Sequence, residues 1–271
     1  MTENVNILIP SKLFIWTENK KDIDNFAIKQ FVLTMYAHLS LRKGIDNKCL
    51  CSLGDLLVDA CGLKKDSNAY NRGYFDLLKQ AMQQLQEWNM IGNIYDNDGM
   101  IVDISTVKPK ERLWFELDNK KAQTQNFCLL GRDQYLKICQ LRSKSSAIFW
   151  KTLMLYCYIC KTMGYNPAKK RIKFDYWTFK RENIEAELGK GFSHTTVGVL
   201  LEELEKLRLI AFKPVYVKFK GEKSAPFRIG TVVIMRYEEN QSEVDCRLEE
   251  AEAFAKMEYL NNWEKKHLTT E

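Results

Sequence analysis

Ala27-Ile28-Lys29-Gln30-Phe31-Val32-Leu33-Thr34-Met35-Tyr36 stands 120 positions before Ala147-Ile148-Phe149-Trp150-Lys151-Thr152-Leu153-Met154-Leu155-Tyr156. The Ala-Ile pair, a Leu and the closing Tyr coincide without a gap. Upstream, Ile7-Leu8-Ile9-Pro10-Ser11-Lys12-Leu13 faces Phe127-Cys128-Leu129-Leu130-Gly131-Arg132-Asp133, a weaker match. Downstream, Leu85-Gln86-Glu87-Trp88-Asn89-Met90-Ile91 faces Leu204-Glu205-Lys206-Leu207-Arg208-Leu209-Ile210 at an offset of 119. A single match between apolar helices would be cheap by chance. Three at nearly one offset, in one order, predict a duplicated unit of about 120 residues.

Each unit is expected to repeat one order of elements. A short apolar strand comes first. An amphipathic helix follows, with Ala27, Phe31, Met35 and Leu39 on its stripe in the first unit and Ala147, Leu155 and Ile159 in the second. The second helix is expected over residues 52–61, with Ser52 as N-cap, Asp55 at N3 and Gly62 as the stop, and over residues 179–188 before Gly189 and Gly191. The third helix is expected over 71–88, with Phe75, Leu78, Met82 and Leu85 inward. In the second unit Ser193 caps it, and Val197, Leu200, Leu201, Leu204 and Leu207 form the stripe. A hairpin then closes each unit. In the first it is residues 91–95, the turn Asp96-Asn97-Asp98-Gly99, and residues 100–104. In the second it is 215–220, a tip over 221–226, and 228–237.

Helix, helix, helix and hairpin is the order of a winged helix. The expected fold is therefore α+β and mainly helical: two winged-helix units related by internal duplication, plus a C-terminal helix. The boundaries read as residues 1–107 for unit one, 108–121 for a linker with an added strand at 113–117, 122–240 for unit two, and 241–271 for an acidic tail. In the tail, Leu248, Phe254, Met257 and Leu260 form the expected docking face.

The chain has 271 residues, 45% of them hydrophobic and 28% charged, which excludes disorder along its whole length. The apolar run over 147–163 is interrupted by Lys151 and Lys161 and is too short to span a bilayer. Met1-Thr2-Glu3-Asn4 lacks the order of a signal peptide, and the eight cysteines sit mostly in apolar stretches. A cytoplasmic protein with free thiols is expected. Charge is uneven: net −1 over residues 1–120, +13 over 121–236 and −6 over 237–271. A localised basic excess points to a polyanionic partner; a solvated basic face is the alternative.

No catalytic constellation stands out, so no enzyme activity, metal or cofactor is expected. The three histidines are scattered, and His38 reads as a packed residue beside the apolar face of its helix. There is no phosphate-binding glycine loop and no HExxH or GxSxG. Cys157 and Cys160 form a CxxC inside an apolar helix, where neither a wrapped zinc ion nor a dipole-activated thiolate fits.

The binding residues expected in unit two are Ser193, His194, Thr195 and Thr196 at the first turn of the third helix, and Lys218, Lys220, Lys223 and Arg228 on the wing. Lys169, Lys170, Arg171, Lys173, Lys180 and Arg181 lie around the start of the second helix. Glu202, Glu203 and Glu205 would be repelled by DNA and restrict close approach to the first turn. In unit one, Lys64, Lys65, Asn68, Tyr70, Asn71 and Arg72 could make a secondary contact, but the wing tip carries Asp96 and Asp98. Unit one is therefore better suited to protein contact or homodimerisation.

In this tandem arrangement, with strand-then-helix openings such as Ile7-Leu8-Ile9-Pro10 before Phe31-Val32-Leu33-Thr34-Met35-Tyr36, the chain resembles the replication initiator proteins of plasmids and phages. The resemblance is one of architecture over nearly the whole chain, without a diagnostic motif. It implies a non-enzymatic protein that binds double-stranded DNA at repeated origin sites and recruits host replication proteins. A winged-helix transcription regulator and a protein-interaction scaffold without DNA binding are the alternatives.

Overall fold

Strands whose residues alternate inward and outward open both halves of the chain. The computed structural model describes residues 6–15, 26–63, 73–117, 126–164, 176–219, 225–237 and 240–268. Among them are eight helices and three small antiparallel sheets, a mixed and mainly helical fold. Strand β1 (Asn6–Pro10) pairs antiparallel with β5 (Phe127–Gly131). Leu8 lies opposite Leu129, Asn6 opposite Gly131 and Pro10 opposite Phe127, so the pairing is symmetric about its central leucines.

Two long helices, α1 (Phe26–Arg42) and α5 (Ser146–Met163), carry the segments that match at an offset of 120. Both were expected to be one-faced, and both are buried on most sides, with polar residues such as Thr34, His38 and Thr152 among the buried ones. Phe31, Val32, Leu33, Met35, Tyr36 and Leu39 of α1 are fully or almost fully buried, as are Phe149, Leu153, Met154, Leu155, Tyr156 and Ile159 of α5. A helix without an exposed polar face belongs inside a core. Trp150 joins the α5 surface to the first half: its indole N–H donates to the Cys61 carbonyl at 2.7 Å, and its ring meets Phe31 edge-on at 5.4 Å.

After α1 come β2 (Lys48–Ser52) and α2 (Leu53–Asp55, continuing as a π-helical turn, Leu56–Ala60). The capping box expected at Ser52 forms: its hydroxyl accepts from the Asp55 N–H at 3.1 Å, and the Asp55 carboxylate accepts from the Ser52 N–H at 3.2 Å. Gly62 ends the segment at φ +70°, and a Cβ there would come within 2.9 Å of the Arg142 side chain. Helix α3 (Tyr74–Glu87) and strand β3 (Ile91–Tyr95) follow.

The expected second wing strand, residues 100–104, does not form a ladder. The Asp96 turn is made, since its carboxylate accepts from the N–H groups of Asp98 and Met100. Only one bridge, Tyr95 to Ile101, then follows. Asp103 accepts from the Ser105 N–H and turns the chain away, leaving Met100 and Ile101 exposed. The partner of β3 is instead β4 (Arg112–Leu117), inside the segment read as linker. Leu113, Phe115 and Leu117 alternate inward there, and β4 lies between β2 and β3.

The second half repeats this order. Strand β6 (Trp177–Phe179) leads to α6 (Arg181–Leu188), α7 (His194–Lys206), β7 (Ile210–Val217) and β8 (Phe227–Met235). Its sheet runs β6-β8-β7, matching β2-β4-β3. The ends of α3 and α7 also match. Asn89 and Arg208 adopt φ +54° and +55°, and the N–H groups of Met90 and Leu209 donate back to the carbonyls of Leu85 and Leu204. That is the 6→1 bond of a Schellman motif, made at two positions 119 residues apart. Pro214 is tolerated in β7 because that strand lies at the sheet edge.

Helix α8 (Gln241–Leu268) packs on β7 and β8 through Val244, Leu248, Ala251, Ala255, Tyr259 and Leu260. Phe254 and Met257, expected on the docking face, are each 52% exposed; the buried stripe takes the small alanines, which let the helix approach the strands. Glu252 fixes the contact by pairing with Lys213 of β7 at 2.5 Å and Lys256 at 2.6 Å. Hydrogen bonds from Lys213 and Lys256 hold its carboxyl below the ordinary value of 4.5. The stability it adds is thus complete above that value and is lost as pH falls through the lower, folded one. Glu252→Gln should flatten this acid limb and cost under about 1 kcal/mol at neutral pH, because both lysines remain in water. Unfolding titrations of both proteins between pH 6 and 3 check it.

The chain divides into two compact units, Met1–Lys161 with Asn166–Ala168, and Thr162–Tyr165 with Lys169–Glu271. The division falls some 40 residues beyond the expected linker at 108–121, since β5, α4 (Arg132–Cys139) and most of α5 pack with the first unit. The basic excess is divided accordingly. Of the +13 over residues 121–236, +6 lies in 121–161 and +7 in 162–236. With the acidic tail included, the second unit carries a net charge of only +1.

Candidate nucleic-acid interface

The second unit holds every described residue of the expected primary binding set. Lys180 stands exposed immediately before α6, in extended backbone at φ −91° and ψ 135°. Arg181 is the first residue of α6. The two glycines after α6, Gly189 and Gly191, take φ +93° and +102°, a region that side chains with a Cβ rarely enter. They turn the chain sharply into α7.

Ser193 caps α7 as expected. Its hydroxyl accepts from the Thr196 N–H at 3.4 Å and lies 3.0 Å from the Thr196 hydroxyl. Ser193, His194 and Thr195 are exposed, and Thr196 is half-buried. The first turn thus presents hydroxyl and imidazole groups at the positive end of a thirteen-residue helix, whose inner stripe of Val197, Leu200, Leu201 and Leu204 is buried.

The three α7 glutamates do not act alike. Glu203 is buried and pairs with Lys206 at 2.9 Å, which raises the lysine's pKa. Glu205 accepts from the Phe212 N–H at 3.4 Å and ties α7 to β7. Glu202 alone of the three is exposed. The acidic barrier expected along the middle of this helix is therefore reduced to one outward carboxylate. The sequence could not show this, because residues one position apart on a helix point about 100° apart and only packing decides which way the set turns.

On the hairpin, Lys218 is exposed at the end of β7. Arg228 is half-buried and bonds along its own strand: its guanidinium donates to the Gly230 carbonyl at 3.2 Å and to the Thr231 hydroxyl. Its charge is used to brace the hairpin rather than to reach outward. Aromatic rings where β7 ends and β8 begins pack on α8. Phe219 lies 5.7 Å from Phe227 and 4.6 Å from Trp263, and Phe227 lies 6.1 Å from Tyr259. These rings were not singled out from the sequence; their spacing along α8, four residues apart at Tyr259 and Trp263, was the available signal.

Lys169, Lys170, Arg171, Lys173, Lys220 and Lys223 lie outside the described residues, as do Lys64, Lys65, Asn68, Tyr70, Asn71 and Arg72 of the secondary set. In the first unit, Leu50 of β2 and Trp114 of β4 are cross-strand partners, each 36% exposed on the outer face of the sheet. His38 is buried on α1. Cys157 and Cys160 are buried in α5, where burial pushes the Cys160 thiol well up and so keeps it protonated. Among the described residues, no helix is long and apolar enough to cross a membrane. A scan of protein-family models finds none that matches the chain, and a search of curated proteins finds no match.

Proposed function

We propose that this is a double-stranded DNA-binding protein of two winged-helix units related by internal duplication. In this reading α7 is the reader helix and the β7–β8 hairpin the wing. The observation that carries it is the shared order helix, strand, helix, helix, strand, strand, with sheets β2-β4-β3 and β6-β8-β7 arranged alike, and a capped, exposed polar turn at the start of α7. That turn sets hydroxyl and imidazole groups where a helix enters a groove, while Lys180 and Lys218 flank it in sequence where phosphate contacts position such a helix. The matching Schellman ends of α3 and α7 and the symmetric β1–β5 pairing support the duplication.

Replication initiation or replisome organisation for a plasmid, phage or other mobile element is the role we assign, with host replication proteins as further partners and no catalysis of its own. A winged-helix transcription regulator would have the same interface. The outward Leu50–Trp114 pair favours, in addition, a protein contact or homodimer through the first unit. Sequencing the DNA that copurifies with the full chain tests the assignment. Fragments that map to repeats at a replication origin support initiation. Fragments from promoters would move the assignment to regulation, and an absence of bound DNA would move it to scaffolding.

A further inference from the structure

The outer face of α7 beyond its first turn is not uniformly polar. Thr195, Val199, Glu202 and Lys206 follow one another at spacings of four, three and four, and all four are exposed. Val199 is 44% exposed, although Val197, Leu200 and Leu201 beside it are buried. With Glu203 turned inward and Glu205 engaged by the Phe212 N–H, Glu202 is the one carboxylate this stripe presents. A branched aliphatic group and an exposed acceptor, one turn apart on the same stripe, form a specific chemical pattern.

We propose, resting on the DNA-binding reading above, that Val199 and Glu202 are specificity-determining residues of α7: Val199 packs against the 5-methyl group of a thymine and Glu202 accepts from the N4 amine of a cytosine in the major groove. The major-groove edge of a thymine is distinguished by its methyl group, and that of a cytosine by its amine donor. The occupant follows from charge. Residues 162–236 carry a net +7, a sequence charge suited to a polyanion, and a carboxylate is tolerated against a polyanion where a base-edge donor meets it. Three residues of helix rise about 4.5 Å, against about 3.4 Å for one base step. The thymine and the cytosine therefore fall one or two base steps apart.

The test uses the full chain and the duplex that it selects from a randomised pool. Replacing the contacted thymine by deoxyuridine removes only the methyl group. It should weaken wild-type binding several-fold and leave Val199→Ala binding unchanged by the same replacement. Glu202→Gln should move the preference at one position from cytosine to adenine, because an amide pairs with the adenine edge and a carboxylate does not, with a change of roughly tenfold in relative affinity. Retained duplex selection with unaltered base preference in both variants would overturn this inference and leave the DNA-binding reading standing. A chain that selects no duplex would overturn both.

Discussion

Replacing Trp150 with Ala is expected to cost about 4 kcal/mol of unfolding free energy, the ordinary range for deleting a buried aromatic ring. Trp150 is only 7% exposed, and its loss removes two contacts at once. The ring leaves a cavity against Phe31, and the Cys61 carbonyl loses the indole N–H that reaches it at 2.7 Å. Trp150→Phe keeps most of the ring volume and loses chiefly the hydrogen bond, so it should cost about 1–2 kcal/mol. Urea unfolding of the full chain, followed by circular dichroism, separates the two variants. A cost below about 1 kcal/mol for Trp150→Ala would contradict the placement of α5 in the core of the first unit.

The first unit should also be acid-labile through His38. Its ring is buried, its Nε2 atom has no hydrogen-bond partner among the described residues, and Arg42 and Arg142 add repulsion to the cost of burial. Together these push its pKa from 6.5 down to about 3. Below the higher value the unfolded chain takes up a proton that the native chain still refuses. Stability therefore falls with pH, by roughly 1.4 kcal/mol per unit, until the folded pKa is reached. At pH 4.5 the loss from this residue amounts to about 2.7 kcal/mol. His38→Leu has no proton to bind and should lose that much less stability between pH 7 and pH 4.5. Equal acid limbs for the two proteins would show that His38 is already accessible to protons in the native state.

Local chemistry made the element ends legible. Ser52 with Asp55, Gly62 and Ser193 each mark a helix terminus by a hydrogen bond or a backbone angle confined to a few residues, and each is found as read. The apolar pairs Met90-Ile91 and Leu209-Ile210 lead into strands for the same reason. Pairing over distance was not legible. Met100, Ile101 and Val102 after an Asp-Gly turn resemble a strand, but Arg112–Leu117 supplies an inward row that fits two neighbours at once, and nothing local ranks the two. The compact division after Lys161 differs from the boundary expected at 108–121, and it was not legible because only packing, such as the Trp150 bond to the Cys61 carbonyl, ties α5 to the first unit. At the candidate interface, the polar first turn of α7 was readable from its cap. The inward turn of Glu203, the bond from Phe212 to Glu205 and the bracing of Arg228 against Thr231 depend on packing that residue type does not specify.

Lys180, immediately before α6, and Lys218, just after β7, are exposed, and each phosphate that a cation neutralises adds about 0.9 to the slope of log affinity against log salt. The most direct measurement is duplex binding by the full chain and by the K180A/K218A double variant across a series of salt concentrations, on a selected and on a scrambled duplex. Duplex binding through α7 and the hairpin predicts a slope flattened by about 2 in the variant, with both duplexes weakened alike. An unchanged slope, or no duplex binding by the wild-type chain, would contradict it.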